Sequence, residues 1–251
     1  MTASRSNTDW TVFELRQYTL RPGQRDVLIE LFDREFVETQ EAVGMWVVGQ
    51  FRDLDRADRF VWVRGFHDMT SRARALAHFY GGPVWKEHAA LANATMIDTD
   101  DVLLLRPVSR MSTFPEPQHH RPPAADHPAP SASLITATVC RRVTPAGESD
   151  GAFTELFTRG VQPLLAGTGA RLLACLQTEP AENNFPALPV RTEHVFVWFC
   201  AFAGPDRYRA HSEALNGLPA WRETVLPQLL AHLTGVPEQL RLAPTGRSLL
   251  R

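Results

Sequence analysis

The chain is short of cysteine, of basic excess and of long apolar runs, and each shortage removes a class of function. Three cysteines in 251 residues, Cys140, Cys175 and Cys200, are odd in number, far apart and without metal-ligand spacing. That excludes a disulfide framework and predicts reduced thiols in a cytoplasmic protein. Cys140 and Cys200 fall in apolar strand patterns, where a free cysteine packs as a small hydrophobe. With 26 Lys and Arg against 28 Asp and Glu, the net charge is −2. No basic run interleaves with aromatics, so nucleic acid is not an expected partner. The opening MTASRSNTDW lacks the apolar core of a secretory signal. No stretch reaches the roughly 18 apolar residues of a membrane span, and no membrane association is expected. Catalytic signatures are missing too: there is no GxSxG, no HExxH, no Walker A loop and no GxGxxG opening a helix after a strand.

What the chain does have is a repeat, and this sets the expected architecture. GGPVWKE (81–87) returns as GLPAWRE (217–223), and FVWVRGF (60–66) returns as FVWFCAF (196–202) at the same spacing. Upstream, Leu31-Phe32 and Gly44 match Leu156-Phe157 and Gly169, with an insertion in the second copy inside TEPAENNFPALPVRTE (178–193). Within each copy the pattern predicts strand, helix, strand, strand, helix, strand, the split-βαβ or ferredoxin-like order. Pro22-Gly23 marks the first turn and Gly44 the helix stop. The expected fold is α+β: two tandem ferredoxin-like (βαββαβ) repeats covering each other's sheets as an intrachain α/β barrel. The divisions fall at a tail (1–11), a first repeat (12–108), a proline-rich linker (109–131) and a second repeat (132–251). Six prolines between Pro115 and Pro130 make the linker an expected stiff, exposed spacer.

FELRQYTLRPG, the amphipathic helix ending at Gly44-Met45, FVWVRGF and YGGPVWKEHAALANATMIDTDDVLLLRP together resemble the NIPSNAP family. The resemblance is strong over residues 12–107 and weak in the second copy, through VFVWF and LPAWRE. It implies the dimeric α/β-barrel superfamily, whose members include cofactor-free oxygenases on polyphenolic polyketides, isomerases and haem enzymes. A fold of this kind does not name a reaction.

Comparing the copies points to a site. His78, Tyr80, His88, Arg64 and His67 face Ala214, Asn216, Thr224, Cys200 and Ala203, while Arg16 and Tyr18 fall roughly opposite Val139 and Arg141. The first copy has gathered the polar groups, which predicts one apolar cavity there, walled by Trp62 and Trp85. Surface His and Arg are also common for no functional reason, and the paired tryptophans, with Trp198 and Trp221, are core residues first. The expected catalytic set is His88, His78 and Tyr80, with a histidine as general base. Arg16, Tyr18, Trp62, Arg64, Trp85 and Asn93 are expected to bind substrate, the arginines holding an enolate or phenolate. Glu179, Asn183 and Asn184 in the insertion are expected to form a lid over the barrel mouth. No metal site is expected, since His119, His120 and His127 lie in the linker.

The function expected from these readings is an enzyme acting on an apolar, aromatic, polyketide-like small molecule in secondary metabolism, by oxygenation, ring cleavage or rearrangement. It would use no cofactor or borrow externally supplied reduced flavin. Two alternatives stand beside it: a non-catalytic small-molecule or interaction module, and a haem protein with His78 or His88 as axial ligand. A homodimer of the two-repeat chain is left open.

Overall fold

The first strand shows why the sheet must close. Val12–Leu20 (β1) reads VFELRQYTL, and every residue but Thr19 is buried. Phe13 and Leu15 join one apolar cluster, whereas Val12, Tyr18 and Leu20 join another that lies against helices. A strand with alternate residues buried on opposite sides needs a covering layer on each face.

The computed structural model describes residues 10–116, 120–126, 128–143 and 151–251. After β1 come α1 (Arg25–Leu31), a π-helical turn (Phe32–Phe36), α2 (Val37–Ala42), β2 (Trp46–Asp53) and β3 (Arg59–Phe66). Then follow α3 (Met69–Gly81), α4 (Pro83–Thr95) and β4 (Met96–Pro107). The second half runs β5 (Leu134–Arg141), α5 (Gly151–Leu156), a π-helical turn (Phe157–Val161), α6 (Gln162–Gly167), β6 (Arg171–Thr178) and β7 (Val195–Phe202). It ends with α7 (Pro205–Gly217), a π-helical segment (Ala220–Val225), α8 (Leu226–Ala231) and β8 (Glu238–Pro244).

Eight strands among the described residues form one closed barrel in the order β1-β3-β2-β8-β5-β7-β6-β4. The halves meet edge to edge, β2 on β8 (Phe51 opposite Pro244) and β4 on β6 (Leu105 opposite Thr178), both antiparallel. Closure leaves no open sheet edge. The lumen is packed by apolar side chains from all eight strands, and each half carries its own second cluster between sheet and helices. Gly44 and Gly169 take positive φ (93° and 97°) directly after the paired helices, where a side chain would be strained.

Register corrects one alignment. β1 pairs with β3 through Val12↔Phe66, and β5 pairs with β7 through Leu134↔Phe202. The counterparts of Glu14, Arg16 and Tyr18 are therefore Thr136, Thr138 and Cys140, one residue away from the expected Val139 and Arg141. One residue matters, because it moves a side chain to the opposite face of the strand.

The linker also departs from expectation. Most of its described residues are exposed, but it is more than a spacer, because it sends Phe114 (2% exposed) into the lumen cluster, 5.3 Å from the Phe13 ring and 4.9 Å from Phe199. Burying a phenylalanine stabilises by about 1.5–3 kcal/mol, enough to outweigh a proline-rich segment's preference for solvent. Arg121 fastens the strap, donating to Glu41 Oε1 (2.8 Å), to the Val47 carbonyl (2.7 Å) and to the Arg247 carbonyl. The Pro128 carbonyl comes so close to Gly246 that any side chain there would collide with it.

Beneath this strap, Asp33 accepts from Gln50 Nε2 at 2.9 Å. Burial pushes its carboxyl up to about 6, against the pull of Arg247 and Arg121. A raised carboxyl contributes stability that is full below the unfolded value of about 3.9 and is lost as pH rises through about 6. Asp33→Asn removes that dependence. Denaturant midpoints should show the variant gaining on the native chain between pH 4 and pH 7; a difference constant over that range contradicts the assignment.

Candidate functional site

The charged residues of β1 make the site. Glu14, Arg16 and Tyr18 alternate onto the helix-facing side of a strand that has no solvent on either face. Glu14 Oε2 lies 2.7 Å from Arg16 Nη1 and 2.9 Å from Arg64 Nε of β3. Arg64 Nη2 is also 2.7 Å from that oxygen, out of line for a hydrogen bond. Glu14 Oε1 accepts from Arg72 Nε of α3 at 2.7 Å. Arg16 Nε donates to Tyr18 Oη at 2.9 Å, and Arg64 Nη1 donates to Gln40 Oε1 at 3.2 Å.

Glu14 and the three arginines are each at most 1% exposed. Arginine stays protonated in proteins, so one negative charge faces three positive ones. Burial alone would push the Glu14 carboxyl up, but Arg64, Arg16 and Arg72 together hold it well below the usual carboxylate range. Burial pushes the Tyr18 phenol up in spite of Arg16. Arg72 Nη2 and Trp62 Nε1 are buried without hydrogen-bond partners, each costing about 1–3 kcal/mol. The Trp62 ring lies between two guanidiniums, 5.7 Å from Arg16 and 5.1 Å from Arg64, an arrangement that favours the cations.

A cavity of about 100 Å³ adjoins this cluster, between the sheet and α1–α4. Trp62, Trp85, Phe32 and Phe79 give it aromatic walls, while Arg16, Tyr18, Gln40, Tyr80 and Asn93 supply its main polar groups. Arg16 Nη2 makes no hydrogen bond to any described residue and is a donor available to a ligand. The insertion from the second half closes over this region. Asn183 and Asn184 accept from Arg72 Nη1 (3.0 and 2.9 Å), Phe185 stacks on Tyr80 and Leu188 lines the cavity.

The structure thus brings Arg16, Tyr18, Trp62, Arg64, Tyr80, Trp85, Asn93, Asn183 and Asn184 to one region. It does not bring the histidines there. His78 is exposed on α3, on the face turned away from the sheet. His88 contacts Glu35 (Nε2 to Oε2, 3.5 Å) and touches only the far side of the wall, its ring 6.4 Å from Phe36. His67 stacks on Trp10. The lid lies over α3 rather than over the barrel mouth, because Asn184 Nδ2 is tied to the Met69 carbonyl. Glu179 takes no part in it, its carboxylate accepting from the Ala181 backbone.

Glu14, Gln40 and Arg72 are functional candidates that copy comparison missed, although Glu14 was legible as a charge inside a doubly buried strand. All three cysteines are buried, which pushes each thiol up to about 12 and makes it a poor nucleophile. His120 is exposed, and His119 and His127 lie outside the described residues. No cluster of metal-ligating side chains occurs among the described residues. No described helix is long and apolar enough to cross a membrane.

Strands and helices together define an α+β protein built on one closed eight-stranded barrel, counted over the described residues. Residues 13–111 match the NIPSNAP family model, so the first half of the chain carries a NIPSNAP domain. Similar solved structures span nearly the whole chain. One described as an anthrone oxidase-like protein is 13% identical with a TM-score of 0.62, covering 94% of this chain and 92% of its own. A candidate monooxygenase from Fusobacterium nucleatum is 11% identical (TM-score 0.55; 94% and 93% covered). Another from Lactobacillus acidophilus NCFM is 12% identical (TM-score 0.53; 94% of both chains covered). No curated protein matches the chain.

Proposed function

We propose that the chain is a small-molecule enzyme of the oxygenase type, which holds an anionic oxygen of its substrate, enolate or phenolate, against Arg16 in the first-half cavity. The charge imbalance carries this reading: one carboxylate faces three guanidiniums behind an aromatic wall. Surplus buried charge is costly in a purely structural cluster, whereas an anionic ligand neutralises it. Tyr80 and Asn93 are placed to hydrogen-bond a neighbouring carbonyl. A cation next to an acidic substrate lowers the substrate's own pKa, so the anion is the bound form and its proton passes to water. The histidine base expected at His88 or His78 is not needed for that step.

The anthrone oxidase-like neighbour favours one reaction class, oxidation of an activated CH₂ to a carbonyl. One oxygen atom of O₂ would enter the product and the other would leave as water, with no outside reductant. The cavity of about 100 Å³ admits one enolised carbonyl or the oxygen-bearing edge of a ring; a larger substrate, a multi-ring polyketide included, needs the loop at 179–193 to swing aside. Drug-sized ligands occupy clefts of about 300–1,000 Å³, so neither haem nor a flavin ring fits this cavity as it stands. The duplicated element order supports reading residues 12–108 and 132–251 as tandem ferredoxin-like repeats, the second supplying the lid to the first.

4-Nitrophenol tests the anion preference, since only its phenolate is coloured. Binding should raise the coloured fraction at fixed pH by several-fold, and the response should vanish in Arg16→Met. An oxygen electrode with an anthrone tests the reaction. Phenolate binding without oxygen uptake favours the non-catalytic binding module, and absence of binding removes the site.

A further inference from the structure

The second half carries, at the equivalent place between sheet and helices, a cleft of about 220 Å³. Register and helix position give its counterparts to the charged cluster. Thr136, Thr138, Cys200 and Tyr208 stand where the first half has Glu14, Arg16, Arg64 and Arg72. All four charges are gone, and no charged side chain lines the cleft. The indole rings of Trp198 and Trp221 remain, as Trp62 and Trp85 do in the first half. The connection between β2 and β3 is short, so the first half returns no lid over it.

Two polar groups in this cleft lack partners. Thr138 Oγ1 is buried and makes no hydrogen bond, although its residue is only 5% exposed. The other is on His211 of α7, 6% exposed, whose first-half counterpart is Ala75. Its tautomer follows from its neighbours. Thr168 Oγ1 has one hydrogen, which it gives to the Leu164 carbonyl at 2.7 Å. The same oxygen, 2.9 Å from His211 Nδ1, must therefore accept from it, and the Thr168 carbonyl at 3.3 Å can only accept as well. The proton sits on Nδ1 and Nε2 presents a lone pair with no partner among the described residues. Burial lowers the imidazole's affinity for a second proton, against the Thr168 carbonyl.

We propose that this cleft is a second ligand site, taking a neutral aromatic alcohol or phenol whose hydroxyl donates to His211 Nε2 while Thr138 Oγ1 hydrogen-bonds a polar atom of the same ligand. A dry protein cavity of about 150 Å³ accommodates benzene, so about 220 Å³ suits a ligand of one or two rings. The site differs from the first-half cavity in the charge it selects, and it stands whether or not that cavity is catalytic.

2-Naphthol, neutral at pH 7, is the probe, titrated calorimetrically into the full chain. One saturable site is expected. Thr138→Val, nearly isosteric, should weaken it about threefold to tenfold, the effect of one hydrogen bond. His211→Ala should do the same or more, with partial recovery in His211→Gln, which restores an acceptor. Arg16→Met should leave naphthol binding unchanged, and Thr138→Val should leave the nitrophenol response unchanged. If His211→Ala fails to fold, Thr138→Val decides alone. Absence of saturable binding, equal affinity in Thr138→Val, or loss in Arg16→Met would each overturn the proposal.

Discussion

Glu14→Gln is expected to lower the thermal midpoint by on the order of 10 °C. The substitution keeps the shape of the side chain and removes its charge, so three buried guanidiniums lose the one anion they share. Removing one partner of a buried ion pair costs about 3–5 kcal/mol, and a chain of this size loses about 2–4 °C per kcal/mol. The effect should depend on pH with a definite sign. A depressed carboxyl contributes stability that is full above its unfolded value, about 4.3 for Glu. That contribution is lost as pH falls toward the folded value. The gap between native chain and variant should therefore be constant above about pH 5 and shrink below about pH 4. Thermal melts across that range check both statements, and a variant melting with the native chain at pH 7 would refute the ion cluster.

Arg16→Met should act in the opposite way, sparing the fold and weakening ligand recognition. The cluster holds two more positive than negative charges, so deleting one guanidinium relieves repulsion as it removes a contact to Glu14 and one to Tyr18. Methionine fills much of the same volume along the Trp62 ring. The net change in stability should stay within about 1 kcal/mol, against the larger loss in Glu14→Gln. Binding of 4-nitrophenolate, by contrast, should weaken by about tenfold to a hundredfold, the contribution of one charge-assisted hydrogen bond in a desolvated site. Stability retained while binding is lost is the mark of a residue kept for function. A large loss of stability in this variant would make Arg16 a structural residue instead.

The repeated FVWVRGF and FVWFCAF segments, the paired Leu-Phe steps and the glycines at 44 and 169 were enough to read the element order from the sequence. Each reports a local rule: a strand's alternation, a helix's apolar stripe, a residue free to take positive φ. Arg16, Tyr18 and Arg64 were singled out because the duplicated copy acts as an internal control for what the barrel alone requires, whereas Trp62 repeats as Trp198 and was expected first as core. That same comparison misplaced His78 and His88, since a difference between copies does not say which face of a helix a residue occupies. Helices α3 and α4 turn one histidine to solvent and the other to Glu35.

Tertiary structure alone decided the rest. Phe114 enters the lumen because the closed barrel offers it the Phe13 and Phe199 rings, a contact no local pattern encodes. Glu14, 50 residues before Arg64 and 58 before Arg72, becomes the hub of the site only when β1, β3 and α3 are brought together. Asn183 and Asn184 reach Arg72 across more than a hundred residues for the same reason. Local propensity and periodicity are properties of neighbouring residues and can be read along the chain. A buried charge cluster is a balance of desolvation against Coulomb attraction among distant residues, and it exists only once the sheet has closed.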